Sequence, residues 1–137
     1  MGILVVMILA AITVDAAVVY LGERAAFDSA SGAANDLAAV SLDEVAYRAD
    51  GSVRPRDDLP RLVSSIVPAV ETATEGALVP GSVRVSVRAL DGGRVEVVVS
   101  GRVRRIFVGI IPGADSEVEV SARAVAVLDL IDGGPGP

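Results

Sequence analysis

The chain has 137 residues, of which 52% are hydrophobic and only 3% aromatic, and its formal net charge is −6. This length suits one domain, and the low aromatic content means that its core consists of Val, Ala, Leu and Ile. The net negative charge argues against a nucleic-acid partner. The sequence contains no Cys and no His, which excludes catalysis by these residues and Cys/His metal sites. We therefore expect no cofactor, no metal, no nucleic acid and no small-molecule substrate.

The first segment is an apolar run from Gly2 to Gly22 that is broken only by Asp15. A helix of that length rises about 30 Å, the thickness of the hydrocarbon core of a bilayer. We predict a transmembrane helix over residues 1–22, with a cleaved secretory signal and a buried core helix as alternatives. A signal peptide normally has a positive n-region and a shorter apolar stretch, so the membrane helix is favoured.

Asp15 is costly inside a membrane and needs an explanation. One interpretation is a carboxyl group that reaches the headgroups or carries a proton. The other is a polar contact that pairs with a neighbouring helix in an assembly.

The helical pattern continues beyond Gly22. Apolar residues recur at spacings of three and four, which predicts an amphipathic helix continuing the span; they are Ala26, Ala30, Ala33, Leu37 and Val40. A face made mostly of Ala lets a partner helix or a sheet approach closely.

A turn signal at Asp50-Gly51, followed by Pro55, ends this helical region. A second, short helix is predicted after Asp57 or Asp58, and Pro68 is expected to kink or shorten it.

After Pro80 the apolar residues alternate with polar ones. This alternation predicts three antiparallel strands whose sheet has one face buried on the core and one face exposed to solvent. The apolar residues of the first two strands have odd numbers and must lie on the same face of the sheet. The turn between these strands must therefore contain an odd number of residues. A three-residue Asp91-Gly92-Gly93 loop fits, and it pairs Leu90 with Arg94 and Arg88 with Glu96. The domain prediction is a membrane helix at 1–22, an α+β domain at 23–131 with the sheet packed on the helices, and a disordered tail at 132–137.

An apolar connection joins the last two strands. It either packs under the sheet or forms an exposed tip that meets a partner or the bilayer, and packing under the sheet is favoured because exposed apolar patches are the rarer case. Its residues are Ile106, Phe107, Val108, Ile110 and Ile111.

The stretch "ITVDAAVVYLGERAAFDSASGAANDLAAV" resembles the TadE/TadG-like pilus-assembly proteins, pilin-like minor components of the Flp/Tad type IV pilus system. The similarity is to a span carrying an Asp, then Tyr and Arg, then an "A-x-D-x-A-A" helix, and to a C-terminal "F-x-x-x-x-P-G … V-x-V-x-A-x-A-x-A" pattern. Pilin precursors cleaved by a prepilin peptidase carry Glu five residues after a Gly, but Met7 stands there relative to Gly2, which suits the TadG-like side.

The resemblance implies a pilin-like α+β fold and a single-pass plasma-membrane protein. Its N-terminus would be cytoplasmic and its C-terminal domain extracytoplasmic, with incorporation in a surface pilus as one outcome. The implied partners are the membrane and other pilin-like subunits or the pilus-assembly machinery. Together with the Ala-rich face, the resemblance gives a candidate assembly set of Asp15, Tyr20, Arg24, Ala30, Ala34, Asp36 and Leu37.

The sequence leaves two other classes of function to consider, a binding module and an enzyme. An anchored extracellular binding or adhesin module would use the apolar connection as its partner loop. An enzyme would depend on carboxylates such as Asp43/Glu44 and Asp57/Asp58, but adjacent carboxylates are typical of helix caps and solvated faces. We expect no enzymatic activity.

Overall fold

The computed structural model describes residues 2–53, 55, 57–108 and 111–128. The elements are α1 (Gly2–Val40), α2 (Glu44–Asp50), α3 (Leu59–Ala73), β1 (Arg84–Leu90), β2 (Arg94–Arg104) and β3 (Glu117–Val127). The strands form one antiparallel sheet in the order β1-β2-β3. This confirms an α+β fold with a long apolar N-terminal helix and a three-stranded antiparallel sheet. The tail predicted at 132–137 lies outside the described residues.

The first helix is continuous over 39 residues, a length of about 58 Å. Its residues 2–10 are exposed on every side, and burial by the rest of the chain begins at Ala11. Within the part of the chain that the structure describes, α1 is the one helix long and apolar enough to cross a membrane. The predicted continuation of the helix beyond Gly22 is confirmed.

One face of α1 packs on the sheet, against β2 and β3. The buried residues of α1 recur every three, four or seven positions; they are Asp15, Gly22, Ala26, Ala30, Ala33, Ala34 and Leu37. Opposite them on β2 the side chains of Val95, Val97 and Val99 are fully buried. Small side chains on the helix let the backbone of α1 approach the strands closely, which compensates for the lack of large rings in this core.

The first hairpin has the predicted register. Leu90 pairs with Arg94 and Arg88 with Glu96 across a three-residue turn, in which Gly92 and Gly93 both have positive φ. The side chain of Glu96 is ion-paired with Arg123 of the other neighbouring strand, at 3.4 Å between Oε2 and Nε.

Two helical features differ from the predictions. α3 runs through Pro68 as far as Ala73, so Pro68 does not shorten it. The short helix α2 was not predicted. Glu44 and Arg48 lie four residues apart on one face of this helix and form an ion pair at 3.0 Å.

Candidate functional site

Asp15 finds its hydrogen-bond partners within its own chain. Its Oδ1 accepts the backbone N–H groups of Ile106 at 2.7 Å and Phe107 at 2.9 Å, and its Oδ2 accepts that of Val108 at 2.8 Å. An ionised carboxylate has lone pairs for all three donors, and the Asp15 residue is only 4% exposed. Neither of the two interpretations of Asp15 foresaw this contact, which is with residues more than ninety positions further along the chain.

The connection that binds Asp15 is closed at its base by a backbone hydrogen bond and a side-chain hydrogen bond. The N–H of Arg105 donates to the carbonyl of Ser116 at 2.7 Å, and the guanidinium of Arg105 donates to the carbonyl of Asp115. Above this closure three consecutive N–H groups converge on one point, which is the arrangement of an anion-binding nest. Asp15 is the anion that the nest holds, so its carboxylate positions the loop.

Three apolar side chains of this connection are exposed. We define the apolar loop as Ile106, Phe107, Val108 and Ile111, because the predicted member Ile110 lies outside the described residues. Ile106 is 56% exposed, Phe107 40% and Ile111 59%. The expectation that the connection packs under the sheet is wrong for Ile106, Phe107 and Ile111, which are exposed, whereas Val108 is half-buried.

A charged cluster lies next to the apolar loop, at the end of β2. Glu117 accepts from Arg102 at 2.7 Å and from Arg104 at 3.3 Å. Between the two arginines, Val103 is fully buried against α1, so closely that a Cβ on Gly22 would overlap its Cγ2 atom. This contact places Val103 at the level of Gly22, and Arg104 borders a pocket with Val18, about one turn nearer the N-terminal end of α1. The apolar loop is bonded to Asp15, about two turns from Gly22.

The other predicted assembly residues fall into two groups. Ala30, Ala34 and Leu37 are at most 1% exposed and pack within the chain's own core. They serve the contact with the sheet, so a partner helix could reach them only if the sheet moved away.

The exposed group faces solvent along α1. Tyr20 is 60% exposed, Arg24 forms an exposed pair with Asp28 at 3.7 Å, and Asp36 borders a groove between α1 and α3. These residues remain accessible to a partner.

Phe27 belongs to the same exposed surface and was not singled out from the sequence. It is 53% exposed, and it lies two helical turns from Tyr20, so the two rings are on one face of α1. The seven-residue spacing of two of the few aromatic residues was the available signal. We call Tyr20, Arg24 and Phe27 the outer face of α1.

In comparisons with protein-family models, curated proteins and solved structures, no match was found.

Proposed function

We propose that the chain is a single-pass, membrane-anchored, pilin-like subunit or accessory factor in the assembly of a Flp/Tad-type pilus. The observation that carries the proposal is the division of α1 into two parts. Residues 2–10 are apolar and bare on all sides, whereas the later turns are covered on one face by the sheet. Such a helix can anchor a domain in lipid and later pack against equivalent helices in a filament.

The outer face of α1 supports this proposal as the contact surface. Tyr20 and Phe27 expose large rings on a helix whose opposite face is occupied by the sheet. Aromatic residues and Arg are the types enriched in protein contacts. The proposed orientation, with the domain outside the cell, rests on the resemblance.

The experiment is deletion of the gene in its native cell, with surface pili counted by electron microscopy. We expect pili to be lost or strongly reduced, and restored by the wild-type chain. Phe27→Ser should restore fewer pili than the matched variant Val127→Ser, which changes a similarly exposed apolar residue on β3. A normal number of pili in the deletion strain would contradict the proposal.

A second candidate is an anchored binding module that uses the apolar loop, and the exposure of Ile106, Phe107 and Ile111 favours it. For this function Phe107→Ser abolishes attachment of cells to their target without lowering stability or the number of pili. Unchanged attachment by cells carrying Phe107→Ser would exclude it.

A further inference from the structure

The position of the apolar loop along the axis of α1 indicates how far it lies from the membrane surface. The loop lies beside Asp15, to which three of its N–H groups are bonded. The next charged residue of α1 is Glu23, about 12 Å further along the helix axis. Between these two residues the side of α1 away from the sheet carries exposed apolar and small residues, including Leu21, which is 58% exposed.

Lipid that covers this side of the helix up to Gly22 extends past the position of the loop. The charged cluster of Arg102, Arg104 and Glu117 flanks Val103, which contacts Gly22, and Arg104 borders a pocket with Val18. The headgroups would therefore begin between the levels of Val18 and Gly22. The apolar loop lies on the other side of that boundary, toward the hydrocarbon. Long Arg side chains at such a boundary can keep their guanidinium groups at the headgroups.

A loop in lipid must have its backbone polar groups satisfied by the protein, because no water is available there. The carboxylate of Asp15 accepts the N–H groups of Ile106, Phe107 and Val108. It thus provides the acceptors that water would provide for an ordinary surface loop. The outward side chains are then apolar in the one place where exposed apolar side chains are favourable.

We propose that the apolar loop enters the leaflet on the domain's side of the membrane, beside α1, with Asp15 accepting its backbone N–H groups. This inference rests on the proposed membrane anchor and adds a second contact with the bilayer. The loop would fix how deeply the domain sits and how it is oriented around the axis of α1, which a single helix leaves free.

The test is a depth measurement on the full chain in nanodiscs of phosphatidylcholine and phosphatidylglycerol. The chain has no Cys, so single cysteines can carry a nitroxide label without background. Ile111→Cys probes the loop, and Val127→Cys is the matched control because both side chains are 59% exposed. Leu9→Cys, at a site that is 58% exposed on the bare part of α1, reports whether the anchor itself is in lipid.

We expect collisions of the label with oxygen, relative to a water-soluble nickel chelate, to be severalfold more frequent at Leu9 and Ile111 than at Val127. A loop label as accessible to nickel as the control, with Leu9 in lipid, overturns the inference and leaves the anchor intact. Access of nickel to the labels at all three sites overturns both the insertion of the loop and the membrane anchor. Spin–spin broadening at Ile111 would place a second copy on the loop and would also overturn lipid contact.

Discussion

The contact between Gly22 and Val103 allows a prediction in which two identical substitutions on one helix have opposite effects. A Cβ built on Gly22 overlaps Cγ2 of Val103, and it also lies 3.6 Å from the carbonyl oxygen of Ala77. A Cβ built on Gly32 meets nothing within 4 Å. Both residues lie inside α1, so Gly→Ala changes the conformational entropy of the unfolded chain equally at both sites.

Two effects of similar size act at Gly22: the gain from replacing Gly by Ala in a helix, and the steric cost of the added methyl group. Comparing Gly22→Ala with Gly32→Ala isolates the steric cost. Replacing Gly by Ala inside a helix stabilises a protein by about 0.5–1 kcal/mol, and this is the whole effect expected for Gly32→Ala. Inserting a methyl group into a packed contact costs about 1–3 kcal/mol. Gly22→Ala should therefore lower the free energy of unfolding, and the two variants should differ by about 1–3 kcal/mol, which is the steric part alone.

Hydrogen exchange of the β2 amides, measured by mass spectrometry on the full chain in detergent micelles, gives the free energy of opening. β2 is the central strand, so its slowest amides report loss of the whole sheet. Val103→Ala removes the overlapping atom, and it should lessen the effect of Gly22→Ala by about 1 kcal/mol or more in a double-mutant cycle. Equal shifts for Gly22→Ala and Gly32→Ala would refute the described packing of α1 on β2.

Two further pairs of variants test other parts of the fold. Asp15→Leu removes the acceptors of the three loop amides, so we expect those amides to exchange about tenfold faster or more. Thr13→Val, two residues away at an exposed site, should leave them unchanged, and equal exchange in both variants would contradict the role of Asp15. Leu37→Ala empties a fully buried site and should lower the free energy of unfolding by about 2–5 kcal/mol. Val40→Ala, at a side chain that is 56% exposed, should change it by less than about 0.5 kcal/mol, and similar losses from both in urea unfolding would argue against the core.

The hairpin register was predictable because it depends on local information. Side-chain parity across Asp91-Gly92-Gly93 and the period-two alternation of Val residues leave few ways to pair β1 with β2. The structure has Arg88 opposite Glu96, as the parity requires. The continuous α1 was also predictable from local information, because no Pro separates the apolar run from the helical spacing of apolar residues beyond Gly22.

The partner of Asp15 was not predictable from local patterns, because its donors lie more than ninety residues away. A partial signal was present in the helical spacing. Asp15 precedes Gly22 by two turns and so falls on the same face as Ala26 and the rest of the sheet-facing residues. That spacing indicates that the carboxylate faces the chain's own domain, but it does not identify the backbone donors.

The exposure of the apolar loop was missed for a physical reason. The prediction that it packs under the sheet assumed that water surrounds the domain, where a patch containing Ile106, Phe107 and Ile111 is unfavourable. The backbone anchor on Asp15 holds these side chains outward, which no pattern of apolar residues in the loop itself can reveal.

We propose that α1 anchors the domain in a membrane, with the domain outside the cell. The most direct test is alkaline carbonate extraction of membranes that carry a C-terminally tagged chain, combined with protease treatment of intact cells, or of spheroplasts where an outer membrane is present. The account predicts that the tag resists extraction and is removed by protease from outside. A tag released into the soluble fraction, or one retained in the membrane but protected from external protease, would contradict it.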